Sequence, residues 1–298
     1  MFMRILFVSA NRIGDAVITC GVLDHLIRKY PDCRITVACG PAAVGVFARM
    51  PNRARTIVLV KHPRDLHWWT LWRQTVSTRW DLVVDVRGSL MSWLVPTRAR
   101  AVRRKGPGRM FEQYAAMLAI DPAPLPVVWT AADDVSRAGS LLPGGPYIGL
   151  GATANWAPKV WPADRFAELF RRLTVVLPGA SPVVFAGPGE QERAMAAPLL
   201  AALPDAVDLC GKLTLPEAAA CIQRCALYIG NDSGLMHLAA AAGTPTIGLC
   251  GTTMDRAAEM VPAGLRAAWA LADGMSMEAL SVDAAEAACL ALLGTAGA

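Results

Sequence analysis

Residues 228–251 have the sequence YIGNDSGLMHLAAAAGTPTIGLCG. An apolar run ends at Asn231-Asp-Ser-Gly234, a stretch of small residues follows, and Gly243-Thr-Pro245 leads into a second apolar run. The pattern of apolar residues and the turn-forming residues between the runs predict the order strand, turn, helix and strand. Continuous apolar strands on either side of a helix are typical of parallel strands covered on both faces. This stretch therefore predicts an α/β fold.

The turn before this helix has two interpretations. The first N–H groups of a helix have no intrahelical acceptor, and the helix dipole is positive at the same end, so the turn can bind an anion such as phosphate. In the other interpretation the turn is an ordinary capped helix start, with Asp232 as the N-cap residue. The residues of the turn alone leave both open.

Strand and helix patterns alternate through the rest of the 298 residues, which is enough length for about two domains. The turn-forming run Leu141-Leu-Pro-Gly-Gly-Pro146 marks the boundary. We therefore predict two Rossmann-like domains, 1–143 and 144–298, with parallel sheets facing across a cleft. In such folds, ligands bind at the carboxyl ends of the strands.

Composition narrows the class of protein. Hydrophobic residues make up 54% of the chain, which excludes a disordered protein, and no apolar run has the ~20 residues of a membrane span. We expect a cytoplasmic protein whose eight cysteines are buried thiols. Residues 1–143 hold 20 basic and 10 acidic residues, whereas 144–298 hold 9 and 14. The basic half suggests an anionic partner such as nucleic acid, a phosphorylated glycolipid or a membrane, or it serves solubility alone.

Several polar residues follow predicted strands. Asp15 is placed either to stabilise a first helical turn or to accept a proton. Lys159 is either a solvated loop residue or a mobile charge for a phosphate. Glu190 is either a first-turn helix acid or a partner of a ribose diol, and His237 either faces the phosphate site or packs inside. The sequence has no GxSxG elbow, which argues against a serine hydrolase of that type.

The stretch His62–Trp80 contains four tryptophans and several basic residues. Trp68, Trp69 and Trp72 cannot all be buried on one narrow helix face. They form either an interfacial or acceptor-binding surface or a packing face against the neighbouring sheet, and packing is the simpler expectation. The basic run Arg98–Lys105 adds much of the positive charge of this half.

Taken together, these segments resemble the ADP-heptose:lipopolysaccharide heptosyltransferases, glycosyltransferase family nine, which have the GT-B fold. The resemblance extends over nearly the whole chain, and the order and spacing of its motifs make it specific. The motifs are Gly14-Asp-Ala-Val17, Trp80–Gly88, Lys159-Val-Trp-Pro162 with Arg165-Phe166, the Glu190 segment, and Asn231–His237 with Gly243-Thr-Pro245.

The resemblance implies an inverting transfer of heptose from a nucleotide diphosphate to a sugar hydroxyl. Asp15 would be the general base, and Lys159 would neutralise the departing diphosphate. Glu190 would hold the donor ribose, and Asp232 would shape the turn whose amides face the pyrophosphate. The donor site implied in this way consists of Lys159, Glu190, Asp232, Ser233, Gly234, Leu235, His237 and Thr252, and the acceptor site of Arg87 and Arg104.

No metal and no cofactor is expected, since a helix N-terminus and a lysine can stabilise the leaving group. The expected partners are ADP-heptose and an anionic glycolipid or glycan, with peripheral contact at the cytoplasmic face of the inner membrane and no nucleic acid. Two segments depart from the family pattern: Gly251-Thr-Thr-Met-Asp255, and Arg87–Ser92 with Met91 at a usually basic position. Other hypotheses are a different nucleotide-sugar donor, a nucleotide-sugar epimerase, and a binding protein without catalysis.

Overall fold

The computed structural model describes residues 2–61, 66–251, 258–259, 261–274 and 276–294. The chain divides into two compact units, Met1–Trp129 and Thr130–Ala298. This division precedes the predicted boundary between residues 143 and 144 because the helix Ala132–Leu141 packs on the helix Leu215–Ile222 of the second unit. In addition, Arg224 Nε donates to Leu142 O at 2.8 Å.

The first unit contains a parallel sheet whose strands have the order β3-β2-β1-β4-β5. The central strands β1, β2 and β4 are buried along almost their whole length, as their continuous apolar sequences predict. The strands are β1 Arg4–Val8, β2 Arg34–Cys39, β3 Arg53–Val58, β4 Trp80–Asp85 and β5 Thr97–Val102. The α-helices within the described residues are α1 Ile13–Ile18, α2 Cys20–Lys29, α3 Leu66–Thr75 and α4 Met110–Ala116.

The second unit contains a parallel sheet with the order β11-β10-β9-β6-β7-β8. Its strands are β6 Tyr147–Gly151, β7 Ser181–Phe185, β8 Val207–Asp208, β9 Leu227–Asn231, β10 Thr246–Cys250 and β11 Ala267–Leu271. Its helices within the described residues are α5 Ala132–Leu141, α6 Ala163–Leu173, α7 Glu190–Ala202, α8 Leu215–Ile222, α9 Gly234–Ala241 and α10 Val282–Gly294. The predicted α/β class with two parallel sheets is confirmed.

Glycines on one face of the second sheet make room for a large side chain and a close helix. A Cβ at Gly151 would lie 2.1 Å from Tyr228 Oη, and one at Gly149 would lie 2.9 Å from the Tyr228 ring. A Cβ at Gly248 would lie 2.5 Å from Met236 Sδ of α9. The small residues therefore allow Tyr228 to lie across β6 and allow α9 to approach β10 closely.

Across the ranges that the structure describes, no helix is long and apolar enough to cross a membrane. All eight cysteines are free and buried, which confirms the prediction made for them.

Candidate functional site

Each sheet has one point where the direction of chain progression reverses. In the first unit it lies between β1 and β4, and in the second between β6 and β9. The loops that follow such a strand pair separate in opposite directions, so a crevice opens at the carboxyl ends. Asp15 follows β1 and Arg87 follows β4, while Lys159 follows β6 and Asp232 follows β9. The predicted residues therefore flank the two reversal points.

An ion pair joins the two sides of the reversal point in the second unit. Lys159 ends a short 3₁₀ turn, Ala157–Lys159, and its Nζ pairs with Asp232 Oδ2. The two side chains are 34% and 20% exposed, so a ligand can reach both. Asp232 is not the N-cap residue, and that prediction is wrong: Ser233 occupies the N-cap position with an extended backbone, while the Asp232 carboxylate is held by the lysine.

The start of α9 carries the other predicted donor residues. Gly234 and Leu235 occupy the first two helical positions, where the N–H groups have no intrahelical acceptor. The N-cap residue Ser233 makes no capping bond through its side chain. His237 is buried one turn into the same helix. The half-buried helix start thus combines amide donors that have no intrahelical acceptor with a nearby lysine, an arrangement that suits a diphosphate.

Hydrogen bonds hold the loop that carries Lys159 at its end next to α6. Asn231 Oδ1 accepts a hydrogen bond from Trp161 N at 3.0 Å, and Asn231 Nδ2 donates to Gly151 O at 3.4 Å. Trp161 Nε1 and Arg165 Nη1 both donate to Leu280 O, at 2.9 and 2.7 Å. Thus Trp161 and Arg165 of the sequence motif hold the loop to the rest of the unit, and Lys159 is the motif residue at the candidate site.

Glu190 begins α7 and is exposed, directly after Gly189 with φ of 108°. Glu192, two residues further on, folds back so that its Oε2 accepts from Gly187 N at 3.2 Å. That bond holds the carboxyl end of β7, and it leaves Glu190 as the acid open to a ligand. In the sequence both acids have the pattern of first-turn helix acids, and only the turn geometry distinguishes them. Thr252 lies outside the described residues.

In the first unit, Asp15 is half-buried in the first turn of α1. Its charge acts on Tyr114, a residue that the sequence did not indicate. Burial raises the pKa of Tyr114 to about 12; Arg103 opposes this increase and Asp15 adds to it. The Arg103 guanidinium lies 5.5 Å from the Tyr114 ring centre. Arg103 thus contacts Tyr114, and Asp15 is close enough for its charge to act on the same hydroxyl; we call these three residues the Asp15 cluster. Tyr114 lies on α4, far along the chain, and no local pattern connects it with Asp15.

Arg87 is positioned by a buried carboxylate. Asp85, at the end of β4, accepts bonds from Arg87 N and Ser89 N, both at 2.9 Å. Arg87 Nη1 reaches Asn11 Oδ1 at 3.4 Å, across the reversal point. Arg104, the other predicted acceptor residue, is exposed, and its neighbour Arg103 is the one that joins the Asp15 cluster. Adjacent residues on this segment point to different sides, so the sequence alone could not select between the two arginines.

Two further observations concern the departure from the family pattern at Met91 and the question of a metal site. Met91, at the usually basic position, is buried in the core formed by β1, β4 and α3, so the departure from the family pattern places an apolar anchor there. Within the part of the chain that the structure describes, no group of three or more His, Cys, Asp or Glu side chains could hold a metal ion.

Comparison with known proteins identifies relatives of the chain. Residues 128–274, just under half of the chain, match the model of glycosyltransferase family 9 (heptosyltransferase). It is 27% identical to lipooligosaccharide heptosyltransferase 2 of Haemophilus influenzae over 84% of each chain. It is 28% identical to lipopolysaccharide heptosyltransferase 1 of Pseudomonas aeruginosa over 84% of this chain and 79% of the relative.

The family assignment agrees with the fold. The structure of the E. coli ADP-heptose lipopolysaccharide heptosyltransferase II matches 99% of this chain and all of its own, with a TM-score of 0.77 and 21% identity. A match at this identity shows the fold, and it confirms the GT-B class predicted from the sequence. The family model and the relatives identify the chain as a glycosyltransferase. Its predicted residues Asp15, Arg87, Lys159 and Asp232 follow the strands at the reversal points of the two sheets.

Proposed function

We propose that this enzyme transfers heptose from ADP-heptose to a sugar hydroxyl of a lipopolysaccharide core or a related glycan, with inversion at the anomeric carbon. The observation that carries the proposal is the Lys159–Asp232 pair beside the start of α9, in a chain that matches the model of glycosyltransferase family 9. The relatives are named as heptosyltransferases of lipopolysaccharide and lipooligosaccharide, which supports this donor and this class of acceptor.

The donor half of the proposal rests on charge. When the glycosyl–phosphate bond breaks, its electron pair stays on the phosphate oxygen, and negative charge grows on the diphosphate. The amides of Ser233, Gly234 and Leu235 and the Lys159 ammonium would stabilise that charge as it forms. Asp232 would hold the lysine in place before the donor binds. Glu190, exposed at the start of α7, would bind the donor ribose.

The acceptor half assigns Asp15 as the general base. The acceptor hydroxyl attacks the anomeric carbon opposite the departing ADP, and its proton passes to the Asp15 carboxylate. Arg87 would bind an anionic group of the acceptor, as would Arg104. We add Arg103 to this set, because it shares the Tyr114 neighbourhood with Asp15.

The acceptor in this proposal is an anionic glycolipid, and the enzyme works at the cytoplasmic face of the inner membrane through peripheral contact. The large positive charge of residues 1–143 supports an anionic acceptor surface.

A binding screen followed by a transfer assay tests the proposal. ADP is expected to raise the unfolding temperature more than UDP or GDP does at equal concentration, because ligand binding stabilises the native state in proportion to affinity. ADP-heptose with a lipopolysaccharide-core acceptor should then yield ADP and an inverted glycoside. Selective stabilisation by UDP or GDP would indicate a different donor. ADP binding with no transfer to any core acceptor would indicate a binding protein without catalysis.

The leaving group needs no divalent cation in this proposal, because Lys159 and the start of α9 supply the positive potential. Transfer should therefore proceed at an unchanged rate in excess EDTA. A rate that falls in EDTA and returns with added magnesium would contradict this part of the proposal.

A further inference from the structure

Five large apolar side chains project from one part of the first unit. They belong to α3 and to the segment that follows β4, and each is between 56% and 76% exposed. We call this group the tryptophan face: Leu66, Trp69, Leu90, Trp93 and Leu94. Exposed apolar side chains are ordinary when scattered singly, whereas a contiguous group marks a surface that contacts another molecule or a membrane.

Contacts within the unit show that the two segments are adjacent. Trp69 stacks on Trp72 with ring centres 4.6 Å apart. Trp72 Nε1 in turn donates to Leu94 O at 3.0 Å. Trp68 and Trp72 also pack against the core, as the packing interpretation of this stretch expects. Trp69 does not follow that expectation, since it exposes 56% of its surface. Trp93, which lies outside that stretch, is exposed to the same extent.

The charged residues of the two segments that carry the tryptophan face have one sign. Residues 66–75 and 87–100 contain four arginines and no aspartate or glutamate. The Arg100 guanidinium lies 4.8 Å from the Trp93 ring centre and its Nε donates to Ser92 O at 2.8 Å. The Arg87 guanidinium lies 4.5 Å from the Trp68 ring centre. The arginines thus lie against indole rings, beside exposed apolar side chains. This arrangement suits the boundary between the acyl chains and the anionic headgroups of a membrane.

We propose that the tryptophan face docks on an anionic lipid membrane. Its indole and leucine side chains would enter the interfacial region, while Arg73, Arg87 and Arg100 would contact lipid phosphates. A second copy of this chain fits less well, because a two-fold contact through this face would bring the arginines of both copies together without acidic partners from these segments.

The position of the face connects docking with the acceptor. Arg87 contacts Trp68 on one side and Asn11, at the carboxyl edge of β1, on the other. Asp15 follows the same strand. The face thus adjoins the edge to which the acceptor is assigned, and a glycolipid could present its sugar there while its acyl chains remain in the bilayer. This link rests on the proposed function, and the tryptophan face specifies the surface through which the peripheral contact of that function is made.

Vesicle flotation of the full chain tests the proposal. The wild type is expected to float with phosphatidylglycerol vesicles at low salt, to bind phosphatidylcholine vesicles weakly, and to lose binding as salt rises. Leu90→Ser/Leu94→Ser should lower the partition coefficient by about tenfold or more, since two exposed apolar anchors are removed. The matched control Val175→Ser/Leu265→Ser also removes two exposed aliphatic side chains, from the second unit, and should change it by less than about twofold.

Several results would overturn the proposal. Wild-type protein that stays out of phosphatidylglycerol vesicles at low salt would do so, as would equal losses in the two double variants. A dimer in light scattering that dissociates in Leu90→Ser/Leu94→Ser would instead assign the face to a second copy. Transfer to a water-soluble core sugar separates this from the proposed function: it should be unchanged in both variants. If the wild type docks but transfers nothing to that sugar, the proposed function fails and the docking stands.

Discussion

At the scale of single residues, the proposed donor site depends on the ion pair between Lys159 and Asp232. Lys159→Ala should weaken ADP binding by about 2 kcal/mol, because a charge-assisted contact disappears and the Asp232 carboxylate is left beside the diphosphate. Adding Asp232→Asn to this variant should recover part of the affinity, since the repelling charge is then removed. Titration calorimetry with ADP measures both. ADP affinity unchanged by Lys159→Ala would return this residue to a solvated loop role.

Asp15 is the residue whose proposed role is chemical and not structural. Asp15→Asn should lower kcat about 100-fold or more, because the amide cannot accept the proton, and should leave ADP affinity unchanged. Asp24→Asn is the matched control: this acid of α2 pairs with Arg28 at 2.8 Å in the same unit, and its loss should leave kcat near the wild-type value. Equal kcat values for Asp15→Asn and the wild type would remove the base assignment.

At the scale of elements, the contact between β6 and β9 depends on the absence of a side chain at Gly151. Gly151→Ala should destabilise the protein by several kcal/mol, because its Cβ would lie 2.1 Å from Tyr228 Oη and 3.3 Å from the Gly230 backbone. Tyr228→Phe in the same background should recover part of this loss by removing the hydroxyl. Urea unfolding measures both variants. A Gly151→Ala variant as stable as the wild type would contradict this account of the strand pairing.

Tyr228→Phe in the wild-type background should not destabilise the protein, in contrast to Gly151→Ala. The Tyr228 hydroxyl is buried, and no hydrogen-bond partner for it occurs among the residues that the structure describes. Burial also raises the pKa of Tyr228, so the group stays neutral. Removing an unpaired buried hydroxyl should leave the free energy of unfolding unchanged or raise it by about 1 kcal/mol. A clear loss of stability in urea unfolding would show that the hydroxyl has a partner.

For the whole molecule, the buried thiols should make the free energy of unfolding fall at alkaline pH. Burial raises their pKa to about 12 in five cases, and an unfolded cysteine ionises near pH 8.5. The unfolded state therefore loses protons that the native state keeps, so stability is full below about pH 8.5 and falls as pH rises toward 12. The five are Cys39, Cys210, Cys225, Cys250 and Cys289.

Urea unfolding at pH 8 and pH 10 tests this dependence. The free energy of unfolding should fall by about 1 to 2 kcal/mol for each fully buried thiol. A thiol reagent at pH 8 should label the cysteines of the native protein only slowly and those of the unfolded protein at once. Rapid labelling of native protein, or equal stability at the two pH values, would contradict the burial of these groups.

The sequence by itself determined the class of fold and the edge on which the candidate site lies. Continuous apolar runs such as Tyr147–Gly151 and Leu227–Asn231 are typical of buried parallel strands. Polar residues directly after such strands lie at the carboxyl edge of the sheet. Local chemistry is enough for both conclusions, because strand period and turn residues act over a few positions.

Only the tertiary structure decided which side chains meet. Asp232 looked like a helix cap from its neighbours, but it pairs with Lys159, 73 positions away along the chain. Trp161 and Arg165 donate hydrogen bonds to the Leu280 carbonyl. Arg103, not Arg104, belongs to the Asp15 cluster. Contacts of this kind depend on how strands and helices pack at the ångström scale, and no periodicity in a single sequence encodes them.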